Sequence, residues 1–157
     1  MRGRYASSSL TVEYLGQSPL VYHRSGDVRR LAVVDPAAPP PPKGDFYFAD
    51  VPRNIYTGKN GRRLKKPRIE VTPGAALGTV AFLDYHEYGS GIYVDYMKTR
   101  QDYRGRGLVR QLVDELLRVH PNITFLHFGR MTHSTIGKIY DELVKRGGVS
   151  LAGHKDF

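Results

Sequence analysis

The sequence predicts an α+β fold built on a mixed, largely antiparallel sheet flanked by helices, and two observations carry this prediction. Short segments rich in Val, Leu and Tyr, separated by turn residues, fill the N-terminal third and favour β-strands. From residue 77 to residue 148, two strand-like segments are followed by a helix pattern, a third strand pattern and a second helix pattern. This order predicts strands that pair in one sheet and helices that pack against it.

The length and composition indicate one domain. A chain of 157 residues, 40% hydrophobic and 25% charged, resembles ordinary globular proteins and is long enough to bury a core without staples. We expect a single domain over residues 1–157, with a β-rich N-terminal segment (1–35) and a proline-rich loop (36–43). We predict a loop here because prolines cannot join the interior of a sheet or a helix.

The predicted N-terminal strands are LTVEYLG, PLVYHR and VRRLAVVD, with Ser25-Gly26-Asp27 as a hairpin tip. After the proline tract, Asp45 to Asp50 is a candidate strand, and Asn60-Gly61 is a turn signal. These segments extend the predicted sheet but carry no catalytic motif.

Several classes of site are excluded or disfavoured by composition. The chain has no cysteine, so disulfides and thiolate metal sites are excluded. Its six histidines show no paired spacing, and we expect no metal. No window approaches the roughly 20 apolar residues of a membrane span, and the N-terminus lacks a secretory apolar core. We therefore expect a cytoplasmic protein that does not cross a membrane.

The positive charge is concentrated in one segment. The formal net charge is +9, and Arg53 to Arg68 contains seven basic residues and no acidic one. Such a run attracts nucleic acid, an acidic substrate or the phosphates of a cofactor, and it is also typical of a solvated hairpin. Only Tyr56 interrupts it as an aromatic, so base stacking has little support.

The most informative stretch is YRGRGLVRQL, Tyr103 to Leu112, which follows a predicted hairpin. Its strands are Leu77 to Tyr85 and Gly91 to Lys98, joined by HEYGS. Two glycines precede an apolar stripe of helical spacing, which begins at Leu108 and ends before Pro121. A helix that begins in a glycine turn can hold a phosphate on its free N–H groups, although such glycines also serve simple turns.

The chain continues with a buried strand and a second amphipathic helix. Ile123 to Gly129 reads as the strand, Ser134 to Arg146 as the helix, and Gly147-Gly148 as its cap. The P-loop motif is absent, and a dinucleotide-binding GxGxxG would need glycine at Arg110.

The loop resembles the acyl-CoA loop of the GNAT superfamily of N-acyltransferases, whose signature is [RQ]xxGx[GA] between a strand and a helix. The matching residues are Arg104, Gly105, Arg106, Gly107, Leu108 and Val109. YRGRG after Asp102 is similar to the family's common EYRGKG form, whereas Val109 departs from the preferred Gly or Ala. The resemblance covers residues 77–148, which would be the acyl-CoA-binding core.

The resemblance implies acetyl-CoA as the acyl donor. Backbone groups of Met97 and Thr99 would pair with the pantetheine arm, and the N–H groups of Arg104 to Val109 would hold the pyrophosphate. Transfer to an amine needs an uncharged amine, a polarised carbonyl and an acid for the thiolate.

Tyr140 resembles the family's tyrosine acid, because HSTIGKIYDELVKRGG is similar to N..A..LY..LGF. His133 replaces the asparagine, and a tyrosine packed in the core is the alternative. Glu87 is our candidate general base, with Asp84 and Asp95 as alternatives. His127 is read as a core histidine.

The sequence thus predicts an acetyl-CoA-dependent N-acetyltransferase acting on a primary amine, with an anionic or macromolecular acceptor favoured by the basic run. The alternative is a catalytically inactive module of the same fold that binds nucleic acid through Arg53–Arg68. The family's sheet usually has two strands after the second helix, and here at most one fits. An edge left open in this way invites pairing, and we expect a homodimer.

Overall fold

The computed structural model describes residues 10–18, 20–21, 28–42, 48, 70–71, 78–131 and 134–155. They form eight strands and two α-helices. The strands are β1 (Thr11–Gln17), β2 (Leu20–Val21), β3 (Arg29–Val34), β4 (Glu70–Val71), β5 (Thr79–Tyr88), β6 (Gly91–Thr99), β7 (Phe125–Met131) and β8 (Ser150–Lys155). The helices are α1 (Leu108–Val119) and α2 (Ser134–Arg146), and a 3₁₀ turn spans Gln101–Tyr103.

Six strands form one mixed sheet in the order β1-β3-β5-β6-β7-β8. The pairs from β1 to β6 are antiparallel, whereas β6–β7 and β7–β8 are parallel. The parallel pairs follow from the connections, because α1 links β6 to β7 and α2 links β7 to β8. β2 and β4 form a separate two-stranded ladder.

Both helices bury their apolar stripes in one cluster on the sheet. α1 contributes Leu108, Val109, Leu112, Val113 and Leu116, all of them buried. α2 adds Ile139 and Leu143 to the same cluster, together with Ile92, Val94, Leu126 and Phe128 from the centre of the sheet. Alternate residues of each central strand therefore face α1 and α2.

The other face of β3 and β5 buries a charged pair. The Arg30 Nε donates to Asp84 Oδ1 at 2.8 Å, and both side chains are almost fully buried. The guanidinium lies 3.6 Å from the centre of the Phe82 ring, and Ser18 Oγ donates to the same carboxylate at 2.7 Å. Phe48 packs on Phe82 with ring centres 5.5 Å apart. This face is thus a second, partly polar core layer.

The α+β class and the mixed, largely antiparallel sheet are confirmed. The helix predicted from Leu108 and the helix predicted over Ser134–Arg146 are both present, and Gly147 ends α2 with a positive φ of 73°. One strand, β8, follows α2 in the described residues. The proline-rich residues 36–42 form no strand or helix.

The hairpin is longer than predicted. HEYGS was expected as its loop, but His86, Glu87 and Tyr88 continue β5, and the turn is confined to Gly89-Ser90. Cross-strand pairing with Tyr93, Ile92 and Gly91 overrides the turn signal, since each of the three residues has a register partner on β6. This correction places His86 and Glu87 on opposite faces of a regular strand.

Some predictions lie outside the described residues: the Ser25–Asp27 hairpin tip, the Asn60-Gly61 turn, the basic run Arg53–Arg68 and, except for Phe48, the candidate strand Asp45–Asp50. Across the described ranges, no helix is long and apolar enough to cross a membrane. β1 and β8 are the outer strands of the six-stranded sheet, and the expected homodimer stays a prediction.

Candidate functional site

A groove of about 470 Å³ opens where β6 and β7 diverge. The parallel register joins only Ile92–Val94 to Leu126–Phe128, although β6 continues to Thr99 and β7 to Met131. One wall of the groove is β6 from Tyr96 to Thr99, the floor is the loop before α1 with the first turn of that helix, and the far wall is α2 from Thr135 to Glu142. Its volume lies within the roughly 300–1,000 Å³ typical of small-molecule sites.

The floor of the groove exposes backbone at the start of α1. Gly105 and Gly107 have positive φ values of 83° and 71°, a conformation that favours glycine. A Cβ added to either glycine would meet no atom within 4 Å, so the space beside the backbone is open. Gly107 is the N-cap of α1, so no N-cap side chain occupies the first N–H groups of the helix. The positive end of the α1 dipole therefore faces the groove.

The loop is held in place by side chains behind it. The buried Arg100 guanidinium donates two hydrogen bonds to Asp102, at 2.7 and 2.6 Å, and these bonds lower the pKa of Asp102. The Tyr103 hydroxyl donates to Asp35 Oδ2 at 2.6 Å. Burial is the main reason that the pKa of Tyr103 is raised, and the bond to Asp35 adds to it. Asp102 thus stays ionised, and the positive charge of Arg100 offsets its negative charge, so Asp102 only weakly opposes an anion in the groove.

The groove is strongly basic. Five of its described lining residues are cationic: Lys98, Arg104, Arg106, Arg110 and Lys138. Glu142 is the acidic residue among them, and it forms an ion pair with Arg110 that joins α1 to α2. This contact raises the pKa of Arg110 and lowers that of Glu142. The remaining cations give the groove a net positive potential that suits a ligand with several phosphates.

All eight residues predicted to bind the cofactor line this groove. They are Met97, Thr99, Arg104, Gly105, Arg106, Gly107, Leu108 and Val109. Three of them also make contacts within the loop region: the Thr99 carbonyl accepts from Arg104 Nε at 3.4 Å, and the Arg106 guanidinium lies 4.5 Å from the centre of the Tyr103 ring. Val109 is 8% exposed and packs in the apolar cluster, so the side chain that departs from the family pattern is turned largely into the core.

Sequence reasoning missed the far wall, which includes Thr135, Lys138 and Glu142. Their spacing of three and four residues places them on one face of α2. This polar face was visible in the sequence, but only the tertiary structure shows that it lies opposite the glycine loop.

Tyr140, the predicted acid, lies on another face of α2. It is not among the described lining residues of the groove, and its ring packs edge-on against Phe128 with centres 5.9 Å apart. The Lys155 ammonium lies 5.9 Å from the same ring. These contacts match the core role that the sequence left open, and the acid role stays a prediction.

The three carboxylates considered as bases have different surroundings. Glu87 lies in a shallow pocket with His120, beyond the C-terminal end of α1, whereas the groove is at its N-terminal end. A helix of 12 residues is about 18 Å long, so Glu87 is remote from the groove. Asp84 is committed to Arg30. Asp95 directly precedes the first groove residue, Tyr96, and contacts His86.

No cluster of three or more His, Asp or Glu side chains that could hold a metal occurs in the described part of the chain. Comparisons with protein-family models, with curated proteins and with solved structures find no match to this chain.

Proposed function

We propose that this protein is an N-acetyltransferase that transfers an acetyl group from acetyl-CoA to a primary amine. The observation that carries the proposal is the continuity of the groove. It runs from the diverging end of β6 to an open, positive-φ glycine loop at the N-terminus of a 12-residue helix. An extended ligand with an acyl end and a phosphate end fits such a channel.

The residues of the groove suit the chemistry of coenzyme A. At the phosphate end, the backbone N–H groups from Gly105 to Val109 would hold the pyrophosphate, with Arg104 and Arg106 adding charge-assisted bonds. Along the apolar wall, Met97, Ile136 and Ile139 would pack on the pantetheine arm. The backbone of β6 at Met97 and Thr99 would orient its amides. When bound, acetyl-CoA supplies the activated acyl carbon.

The reacting end would lie toward Tyr96, where β6 leaves β7. The amine must lose a proton before it attacks, and the chain must supply both a base for that proton and an environment that favours the departing thiolate. The basic side chains that line the groove favour negative charge that develops on sulfur. Tyr140 and Glu87 stay predictions for the acid and the base, and both require movement from their present contacts.

The test is calorimetric titration with acetyl-CoA of the wild type and of Gly107→Glu. We expect saturable binding by the wild type. The substitution places a carboxylate where the pyrophosphate would lie, so the affinity of the variant for acetyl-CoA should be lower by at least about 100-fold. Gly89→Glu is the matched control, because Gly89 also has a positive φ, of 58°, and an open Cβ position, but lies at the hairpin tip.

Gly89→Glu should bind acetyl-CoA like the wild type, which separates electrostatic exclusion from backbone strain. A folded wild type that does not bind acetyl-CoA would overturn the proposal. Equal loss of binding in both variants would show that strain, and not the groove, governs the result.

A further inference from the structure

A histidine–carboxylate pair joins β5 to β6, and its carboxylate residue, Asp95, comes one residue before the groove begins at Tyr96. His86 Nδ1 is 2.7 Å from Asp95 Oδ2, and the two side chains are 13% and 7% exposed. The pair links neighbouring strands, with His86 on β5 and Asp95 on β6. A nearly buried carboxylate bonded to one ring nitrogen fixes the imidazole, and it directs the other nitrogen, Nε2, away from the carboxylate.

A β-bulge creates this contact. The register pairs Asp84 with Tyr96 and Tyr85 with Val94, so Asp95 is the extra residue on β6. Val94 packs in the apolar cluster with α1, while Tyr96 packs on Phe82 at the opposite face. The bulge therefore places Asp95 and Tyr96 on the same face, whereas regular alternation would separate them.

Aromatic rings surround the imidazole on that face. His86 stacks on Tyr93 with ring centres 5.2 Å apart, and Tyr88 meets its edge at 6.3 Å. On the adjacent strand, the His127 ring lies 4.6 Å from Tyr93. The titratable groups that face His86 from the described strands include Asp95, Tyr88 and Tyr93, with His127 behind Tyr93. Asp84, two residues before it on β5, is paired with Arg30.

The geometry points to His86 as the general base of the acetyl transfer and to Asp95 as the residue that positions it. This inference rests on the proposed function, and it replaces Glu87, which lies with His120 beyond the C-terminal end of α1, by a side chain on the opposite face of β5 that is bonded to Asp95. Asp95 immediately precedes Tyr96, where the groove begins. An amine that reaches that end from the face opposite α1 would meet the aromatic cluster and His86 Nε2.

The substrate nitrogen loses two protons during the transfer, and one of them goes to a base on the protein. Nε2 of His86 takes one proton from the substrate ammonium and leaves the neutral amine. The nitrogen lone pair forms the new C–N bond at the thioester carbonyl carbon, and the electron pair of the breaking C–S bond goes to sulfur. A second nitrogen proton passes to that sulfur, which leaves as the free thiol of coenzyme A. The imidazolium then releases its proton to water.

The first experiment reads the imidazole directly by ¹⁵N–¹H correlation NMR of the full chain, with assignment from His86→Gln. We expect the neutral imidazole of His86 to carry its proton on Nδ1, because Nδ1 lies 2.7 Å from Asp95 Oδ2, so that the lone pair is on Nε2. Asp95→Asn should change the ¹⁵N shifts of His86 while those of His127 stay unchanged. A neutral imidazole that carries its proton on Nε2 would overturn the inference without any activity assay.

The second experiment measures turnover by release of coenzyme A thiol, which a thiol reagent detects without background because the chain has no cysteine. The acceptors are spermidine, benzylamine and a peptide with a free N-terminus, with water as acceptor if none of them reacts. His86→Gln should lower kcat by about 100-fold or more and abolish the acidic limb of the pH profile, with KM for acetyl-CoA unchanged. Asp95→Asn should lower kcat less and displace that limb.

His127→Gln is the matched control, because His127 lies on the same face and contacts Tyr93, one ring away from the pair. It should keep the kcat and pH profile of the wild type. A His86→Gln variant that binds acetyl-CoA and keeps wild-type kcat overturns this inference alone. If the wild type does not bind acetyl-CoA, the proposed function fails as well. The calorimetric titration therefore distinguishes failure of this inference from failure of the proposed function.

Discussion

At the scale of single residues, the Arg30–Asp84 pair is the interaction whose loss should matter most for stability. Both side chains are almost fully excluded from solvent, and the guanidinium also contacts the Phe82 ring. Asp84→Asn leaves the Arg30 charge buried without its counter-ion, and it should lower the free energy of unfolding by about 3–5 kcal/mol. Urea unfolding followed by circular dichroism measures this, since the chain has no tryptophan.

Asp141→Asn is the control, because it removes a carboxylate from an exposed pair. Asp141 accepts from the Lys155 ammonium at 2.7 Å, and the side chains of Lys155 and Asp141 are 40% and 57% exposed. The free energy of unfolding should fall by less than about 1 kcal/mol. Similar losses for Asp84→Asn and Asp141→Asn would contradict the assignment of Asp84 to a structural role.

Residue identity alone located the glycine loop, which is the phosphate end of the candidate site. Gly105 and Gly107 could be predicted as an open turn because only glycine adopts their positive φ without strain. The pairing of His86 with Asp95 could not be predicted, since it depends on a one-residue bulge in the register of β5 and β6. Glu87 was chosen from the same hairpin, and the pleat turns it to the face opposite His86.

At the scale of elements, the junction of β6 with β7 determines where the groove opens. Gly91 begins β6 beneath Phe125, and a Cβ added to it would lie 2.4 Å from the Phe125 carbonyl oxygen and 2.6 Å from its ring. Gly91→Ala should therefore push β7 away from β6 and lower the free energy of unfolding by about 1–3 kcal/mol. Amide hydrogen exchange should show faster exchange at Leu126 and Phe128, which belong to the short paired stretch.

Gly89→Ala, two residues earlier, serves as the comparison. Its Cβ would meet no atom within 4 Å, so the only cost is that of a positive φ, about 1–2 kcal/mol. Exchange at Leu126 and Phe128 should stay as in the wild type. Unchanged exchange in Gly91→Ala would show that β7 tolerates the displacement and that the junction is not tightly packed.

At the scale of the whole molecule, two groups of basic residues together contain half of the 24 lysines and arginines. The groove contains five basic side chains, and the run Arg53–Arg68, outside the described residues, contains seven more. If the run binds nucleic acid, replacement of its seven basic residues by Gln should weaken binding to duplex DNA. It should also reduce the slope of log K against log salt by as much as about 6.

Acetyl-CoA titration of the same variant is the internal control. Its affinity should be unchanged, because all five basic residues of the groove are retained. If the seven substitutions left nucleic-acid affinity and its salt slope intact, the run would have only the solvated role that its composition also allows.

The cofactor-binding residues come from the resemblance of the glycine loop and stay a proposal. The sequence by itself determined the strand and helix order over residues 77–148 and the glycine loop. These depend on local signals: helical spacing in α1 and α2, positive-φ glycines and the alternation of apolar residues. Only the tertiary structure decided the far wall on α2, the packing of Tyr140 on Phe128 and the contact between His86 and Asp95. The physical reason is that these depend on how strands are registered and helices are rotated, which is set by long-range packing and not by neighbouring residues.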